Sequence, residues 1–338
     1  MKHVGIDLHK LESQICVVGD EGPIAELRVR TDRERLQKAL VPYAGASVLI
    51  EAATESEWVA QWLEQLGHNV IVADPNYAPM YAYRSRRVKT DRRDARTLAE
   101  ACRLGAYRPA HRVSAEQRHV RRLLTSRETL VRARTRAIAV MRAMIRQDGL
   151  RVRSGMAETF SRRVAELALG QPLATVLQPL LEVSDHLTAQ IGTYDHALSH
   201  LACADPVVER LRSVPGVGPV TALAFVSTVD DVERFASAHQ LEAFLGLTPS
   251  ERSSGEQQRR GRVSKTGDSR ARTLLVEAAW RVLISRRPEL DHLRQWALRI
   301  AARRGRRIAV VALARRLAGI LYALWRDGST YRGPVTVQ

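Results

Sequence analysis

Short runs of apolar residues, most of them too brief for a helix, organise the front of the chain. Residues 3–8 and 13–19 are two such runs joined by a polar connection, and they read as strands. Gly19-Asp20-Glu21-Gly22 makes a turn, and Leu27 and Val29 alternate in a third strand over 24–30. Thr31 and Glu34 have capping-box spacing and open a helix. Residues 46–50 are Ala-Ser-Val-Leu-Ile, a strand buried on both faces that ends at Glu51. Thr54 and Glu57 give a second capping box, for a helix running to Gly67. One more strand, 69–73, stops at Asp74-Pro75, and 91–104 reads as a helix.

Three strands, a helix, a strand, a helix and a strand predict a mixed sheet of ribonuclease-H type. The pattern then changes period. From 115 to 147, Val120, Leu123, Leu124, Leu130, Val131, Ile138, Met141 and Ile145 follow helical spacing. A second long helix is predicted over about 180–202. There Leu180, Leu187, Ile191, Tyr194, Leu198 and Leu201 fall on alternating steps of three and four, with Ser184 the polar member. Two readings fit that seam: a short coiled coil, which implies self-association, or one amphipathic core helix. From Asp205 onward the chain reads as a compact helical domain. The expected class is α/β plus all-α, in three parts: 1–112 with the sheet, 113–203 as a basic helical or coiled-coil arm, and 204–338 mainly helical.

Charge sharpens this division. The chain has 338 residues, 53 Lys+Arg against 36 Asp+Glu, and a net charge of +17. Residues 1–80 are net −5, whereas 81–150 and 251–338 carry +13 each. Such an excess favours phosphate backbones through counterion release. Of the basic residues 48 are Arg, which fits either guanidinium recognition of phosphate or codon bias. Cys16, Cys102 and Cys203 are far apart with no CxxC, so neither a disulfide framework nor a zinc knuckle is indicated. A reducing, cytoplasmic setting is expected. The first residues lack signal-peptide shape, and Arg315 and Arg316 interrupt the apolar C-terminal helix, so no membrane partner is expected.

Against the basic background, four acids stand out: Asp7 on the first strand, Glu51 ending a later one, and Asp91 and Asp94 three apart on a helix. Phosphodiester cleavage is helped by two Mg²⁺ ions about 3.5–4 Å apart. Hard oxygen ligands suit Mg²⁺, so these carboxylates are candidate ligands and the isolated histidines are not. Singly, each acid also fits a strand end or a solvated helix start.

A second constellation surrounds Ser254. It sits before Gly255 among Arg252, Arg259, Arg260, Arg262 and Lys265, cations that can clamp a phosphate before a poor nucleophile. A phosphate-binding loop with an idle serine fits the same spacing. Upstream, Val214-Pro215-Gly216-Val217-Gly218-Pro219 reads as a helix-hairpin-helix turn, in which Gly216 and Gly218 free backbone N–H groups for a phosphate; a plain interhelical turn fits the same residues. His196 and His200 are read as surface residues, and the five tryptophans as core or interface.

Taken in order, these residues resemble the DEDD-type transposases of the insertion sequence 110 family, which includes DNA invertases. The resemblance covers essentially the whole chain. It rests on Gly5-Ile6-Asp7-Leu8-His9-Lys10, Ile50-Glu51-Ala52, Lys89-Thr90-Asp91-Arg92-Arg93-Asp94-Ala95 and Pro215-Gly216-Val217-Gly218-Pro219. It continues through Phe244-Leu245-Gly246-Leu247, Ser254-Gly255 and Lys265-Thr266-Gly267-Asp268. It implies a RuvC-like domain holding Mg²⁺ on Asp7, Glu51, Asp91 and Asp94. It also implies a second domain whose serine, Ser254 or its neighbour Ser253, forms a phosphoserine link to DNA. Subunits of a homodimer or tetramer would share a composite site, and a guide RNA from the element would pair with donor and target DNA. Two alternatives stand beside it: a RuvC-like nuclease or junction resolvase using water, and a non-enzymatic nucleic-acid-binding protein.

Overall fold

The computed structural model describes residues 1–81, 90–251 and 260–333. The chain divides into two compact units, Met1–Arg112 and Val113–Gln338.

The first unit is built on one mixed sheet. Its strands are β1 (His3–Leu8), β2 (Glu12–Gly19), β3 (Gly22–Arg30), β4 (Ser47–Glu51) and β5 (Asn69–Ala73), in spatial order β3-β2-β1-β4-β5. β1, β2 and β3 pair antiparallel; β4 runs parallel to β1 and β5 parallel to β4. This is the mixed sheet that the element order predicts. Alternation along each strand divides the side chains between two faces. Val4, Ile6, Ile15, Val17, Val48 and Ile50 pack with α1 (Arg33–Leu40) and α2 (Ser56–Gln65). On the other face, Cys16, Val18 and Leu49 meet α3 (Asp91–Leu104) through Ala95, Leu98 and Ala99. Burial there pushes the thiols of Cys16 and Cys102 up to about 11.

Two helix starts differ from expectation. Asp32, not Thr31, caps α1, accepting from the Arg35 N–H at 2.8 Å. Thr31 lies just past β3; its hydroxyl donates to the His9 carbonyl at 2.8 Å, tying down the β1–β2 turn. α2 begins at Ser56 without a side-chain cap, because Ser56 Oγ bonds back to Ala53 and the Glu55 carboxylate is taken by Trp58 Nε1.

In the second unit, α4 (Ala115–Gln147) and α6 (Gln171–Ala204) pair along their length, with α5 (Phe160–Ala165) against their far end. Arg127 reaches Asp195 at 2.5 Å while Arg134 donates to Thr188 at 3.2 Å, so the pair is antiparallel. α6 starts earlier than the sequence predicts, because Pro179 sits inside the helix rather than ending it. Leu177, Ser184, Ile191 and Leu198 form its buried seam, one residue every seven. Along α4, Val120, Leu124, Ile138, Met141 and Ile145 are the buried positions of the matching face. The heptad seam is thus covered within the chain.

Below this hairpin a helical core gathers α7 (Pro206–Arg212), α8 (Pro219–Val229), α9 (Ala238–Phe244), α10 (Ser269–Ile284), α11 (Asp291–Arg304) and α12 (Arg306–Asp327). A short antiparallel ribbon, β6 (Pro249–Glu251) and β7 (Arg260–Val263), stands between α9 and α10 in sequence. By length and composition α12 is apolar enough to cross a membrane. In the structure Leu313, Leu317 and Leu321 are fully buried in the helical core, Arg315 pairs with Glu242, and Arg316 lies over Trp296.

Candidate functional site

β1 and β4 run side by side in parallel, with Ile6 opposite Ile50 as their last registered pair. Asp7 and Glu51 are the next residue on each strand. Alternation puts both on the α3 face, because Ile6 and Ile50 point into the opposite core. The third and fourth acids arrive on α3. Thr90 caps that helix, its hydroxyl accepting from the Arg93 N–H, and Asp91 and Asp94 fill the first turn. What lets α3 come so close is Gly5. A Cβ there would sit 2.2 Å from the Ala95 carbonyl and 2.2 Å from the Ala99 nitrogen. Arg92 pairs with Glu26 of β3, and Arg96 lies 3.7 Å from the same carboxylate, tying the helix over the antiparallel side of the sheet.

The result is one electrostatic cluster. The Asp7 carboxyl is raised above the ordinary aspartate range, chiefly by burial; His9 opposes the shift, and Asp94, Glu51 and Asp91 each add to it. Asp7 is therefore close enough to each of the other three predicted acids to feel its charge. Tyr81 OH donates to Glu51 Oε1 and fixes that carboxylate. His9 Nε2 lies 3.3 Å from Asp7 Oδ2 and 3.6 Å from Asp91 Oδ1. Ligand atoms of Asp7, His9 and Asp91 all fall within 4.8 Å of one another. Asp7 is only 15% exposed, but Asp91 is 62% and His9 54%, so the cluster opens to solvent. This donor set suits a divalent cation: hard carboxylate oxygens, close together, one of them desolvated.

In the second unit, Gly216 takes φ +95° between α7 and α8, Gly218 is the N-cap and Pro219 the first helical residue. An interhelical glycine turn thus forms at the predicted residues. It opens on a cleft also lined by Arg281, Ser285 and Arg287. The ribbon downstream has firmly held feet. Gly246 (φ +68°) and Gly267 (φ +71°) cross so tightly that a Cβ on either would lie 2.0–2.2 Å from a backbone carbonyl oxygen of the other strand. The Arg272 guanidinium donates to the carbonyls of Leu245 and Thr266 at 2.9 and 2.7 Å. Arg260 begins β7; Arg262, within it, and Lys265, at φ +57°, are exposed. Arg252, Ser253, Ser254 and Arg259 lie outside the described residues.

The structure brings the other three acids near Asp7 and forms a turn between two helices at the predicted glycines. Sequence reasoning passed over His9, Tyr81, Arg281 and Arg287. His9 carried a signal, since it follows Asp7 by two residues and alternation keeps it on the same side. Tyr81, Arg281 and Arg287 carried none, because only the fold brings them to Glu51 and to the glycine turn.

Comparison with known proteins bears on both units. The profile of the transposase IS116/IS110/IS902 family matches residues 208–295. That of the DEDD transposases of IS110 matches residues 4–148. A probable family 20 transposase of Pseudomonas aeruginosa is 31% identical, over 98% of this chain and 99% of its own length. The transposase for insertion sequence element IS1111A of Coxiella burnetii is 30% identical over 98% of this chain and 92% of its own. That for IS1328 of Yersinia enterocolitica is 27% identical over 97% and 98%.

Proposed function

The chain belongs to the IS110 family of insertion-sequence transposases, and on that premise we propose that it cuts and rejoins DNA using divalent metal in its first unit and a serine in its second. The observation that carries this reading is the placing of Asp7 and Glu51 at the ends of two adjacent parallel strands, with Asp91 and Asp94 in the first turn of α3 and all three neighbours acting on Asp7. The sheet order β3-β2-β1-β4-β5 supports assigning residues 1–112 to a RuvC-like, ribonuclease-H-type catalytic domain. Residues 113–203 are then a helical arm and 204–338 the serine domain.

Asp7, Glu51, Asp91 and Asp94 would hold the ions, and Tyr81 would keep the Glu51 carboxylate in place. Two Mg²⁺ ions would supply neutralisation of charge on the scissile phosphate and on its attacking and leaving oxygens. Ser254 Oγ attacks the phosphorus; its new ester bond forms as the bond to the leaving strand oxygen breaks. The serine proton passes to solvent, and the leaving oxygen takes one up. Reversal with the oxygen of another strand rejoins the DNA and frees the serine. Arg252, Arg259, Arg260, Arg262 and Lys265 neutralise the phosphate during this exchange. Gly216 and Gly218, with Arg281 and Arg287, grip the backbone nearby. In this reading a homodimer or tetramer assembles acids and serine from different subunits. An RNA from the element's non-coding end pairs with donor and target DNA.

The test is a denaturing gel of the protein with labelled element-end DNA, Mg²⁺ and RNA transcribed from the element's flank. A covalent protein–DNA band is expected, lost in Ser254→Ala and in Asp7→Asn. Cleaved ends without that band would favour the water-using nuclease. Full recombination by Asp7→Asn would remove the metal from the mechanism altogether.

A further inference from the structure

The metal reading assigns ions to carboxylates alone, yet an imidazole stands among them. His9 Nε2 lies between Asp7 Oδ2 and Asp91 Oδ1, at 3.3 and 3.6 Å. Edges of that length are what ligand atoms span when each lies about 2.0–2.4 Å from one shared ion. Local backbone structure brings His9 there. It lies one step beyond the end of β1, two residues after Asp7, and its carbonyl accepts the Thr31 hydroxyl, which holds the turn. The opposite ligand is fixed by an independent element, because Asp91 opens α3 behind the Thr90 cap.

A simple ion pair accounts for less. His9 is more than half exposed, as is Asp91, and pairs so exposed contribute little. A basic residue adjoins it in Lys10, and Arg28 shares the same groove, so a cation alone did not require imidazole. Imidazole differs from Lys and Arg in carrying a lone pair that can bind a metal.

Resting on the reading of the acids as a metal centre, we propose that His9 Nε2 is a ligand of the ion shared by Asp7 and Asp91, and that it biases this centre toward Mn²⁺ over Mg²⁺. Nitrogen ligands strengthen binding of first-row transition ions, whereas Mg²⁺ prefers oxygen and keeps its waters. His9 thus sets which ion the site takes, while the carboxylates set that it takes one.

The experiment uses the untagged full-length protein, stripped of metal. Mn²⁺ is titrated in while the spectrum of free aqueous Mn²⁺ is followed by electron paramagnetic resonance. Mg²⁺ competes in a second series, and pulsed spectra of bound Mn²⁺ report any directly coordinated ¹⁴N. The wild type should show nitrogen coupling. His9→Ala and His9→Gln should lose it and bind Mn²⁺ at least about tenfold more weakly, with Mg²⁺ affinity changed less than about threefold. Bound Mn²⁺ without nitrogen coupling in the wild type overturns the proposal and needs no variant to fold. Equal or tighter binding of both ions by the variants also overturns it, marking His9 as a competing cation. Asp7→Asn separates the two layers. Mn²⁺ bound through Asp7 but not His9 sinks this inference alone, whereas Mn²⁺ binding that ignores Asp7, or is absent, sinks the metal centre itself.

Discussion

Asp7, proposed above as a metal ligand, shows what such a carboxylate requires of a fold without the ion. Burial and three neighbouring acids raise its carboxyl above the ordinary range, and only His9 works the other way. The sign for stability follows. The folded state holds the Asp7 proton to higher pH than the unfolded chain does. Between those two values, folding stability falls as pH rises, and above both the penalty is complete. Asp7→Asn removes that penalty. Without divalent ions the variant should melt higher than wild type at neutral pH, and the gap should close as pH drops through the carboxylate range. With Mg²⁺ the order should reverse, because only the wild type gains from binding. Circular-dichroism melts across pH, with and without the ion, check both halves; a variant less stable than wild type under metal-free neutral conditions would contradict this account. The residue types and order of the acids were legible in the sequence. Their mutual approach was expected from the resemblance, but spacing alone could not fix it, because Asp91 and Asp94 join Asp7 through a contact between distant elements.

That contact depends on how α3 lies on the sheet. At Gly5 the helix backbone comes within 2.2 Å of where a Cβ would stand, so the missing side chain sets the seating of the whole first turn. Gly5→Ala should destabilise the protein by about 3 kcal/mol or more, at or beyond the upper end for overpacking, since the clash is with backbone that cannot swing aside. Mg²⁺ binding should fall with it, as Asp91 and Asp94 are lifted from Asp7. Gly192 is the control: it lies within α6, its Cβ would meet nothing, and Ala there should stabilise by up to about 1 kcal/mol. Urea melts with calorimetric Mg²⁺ titrations test the pair, and equal effects at both positions would show that seating is not the issue. Strands and helices of this unit were readable because their period and turn residues agree with the fold. Cap positions were less so: Thr31 has the right spacing, but its hydroxyl serves the β1–β2 turn. At α6 the proline at 179 hid the start, and a heptad seam that suggested another copy of the chain is filled by α4.

Net charge told the sign of the partner but not which arginines meet it. Many are engaged within the protein. Arg112 holds Glu57 and Glu64, Arg270 holds Glu128, and Arg121 and Arg163 donate to backbone carbonyls. Others have no carboxylate partner among the described residues. Arg142, Arg146 and Arg151 line one cleft at the end of α4, with Ala139 and Val152. Three guanidiniums so close repel one another, and a phosphate backbone relieves that repulsion while releasing counterions. Binding of duplex DNA should therefore weaken with salt. Replacing the three by Gln should reduce the slope of log K against log salt by about 0.9 for each phosphate no longer neutralised, up to about 3. Fluorescence anisotropy over a salt series measures both. A triple variant that binds more weakly with an unaltered slope would mean that the cleft shapes the arm and touches no phosphate, leaving phosphate contact to other cations such as Arg281 and Arg287 beside the glycine turn.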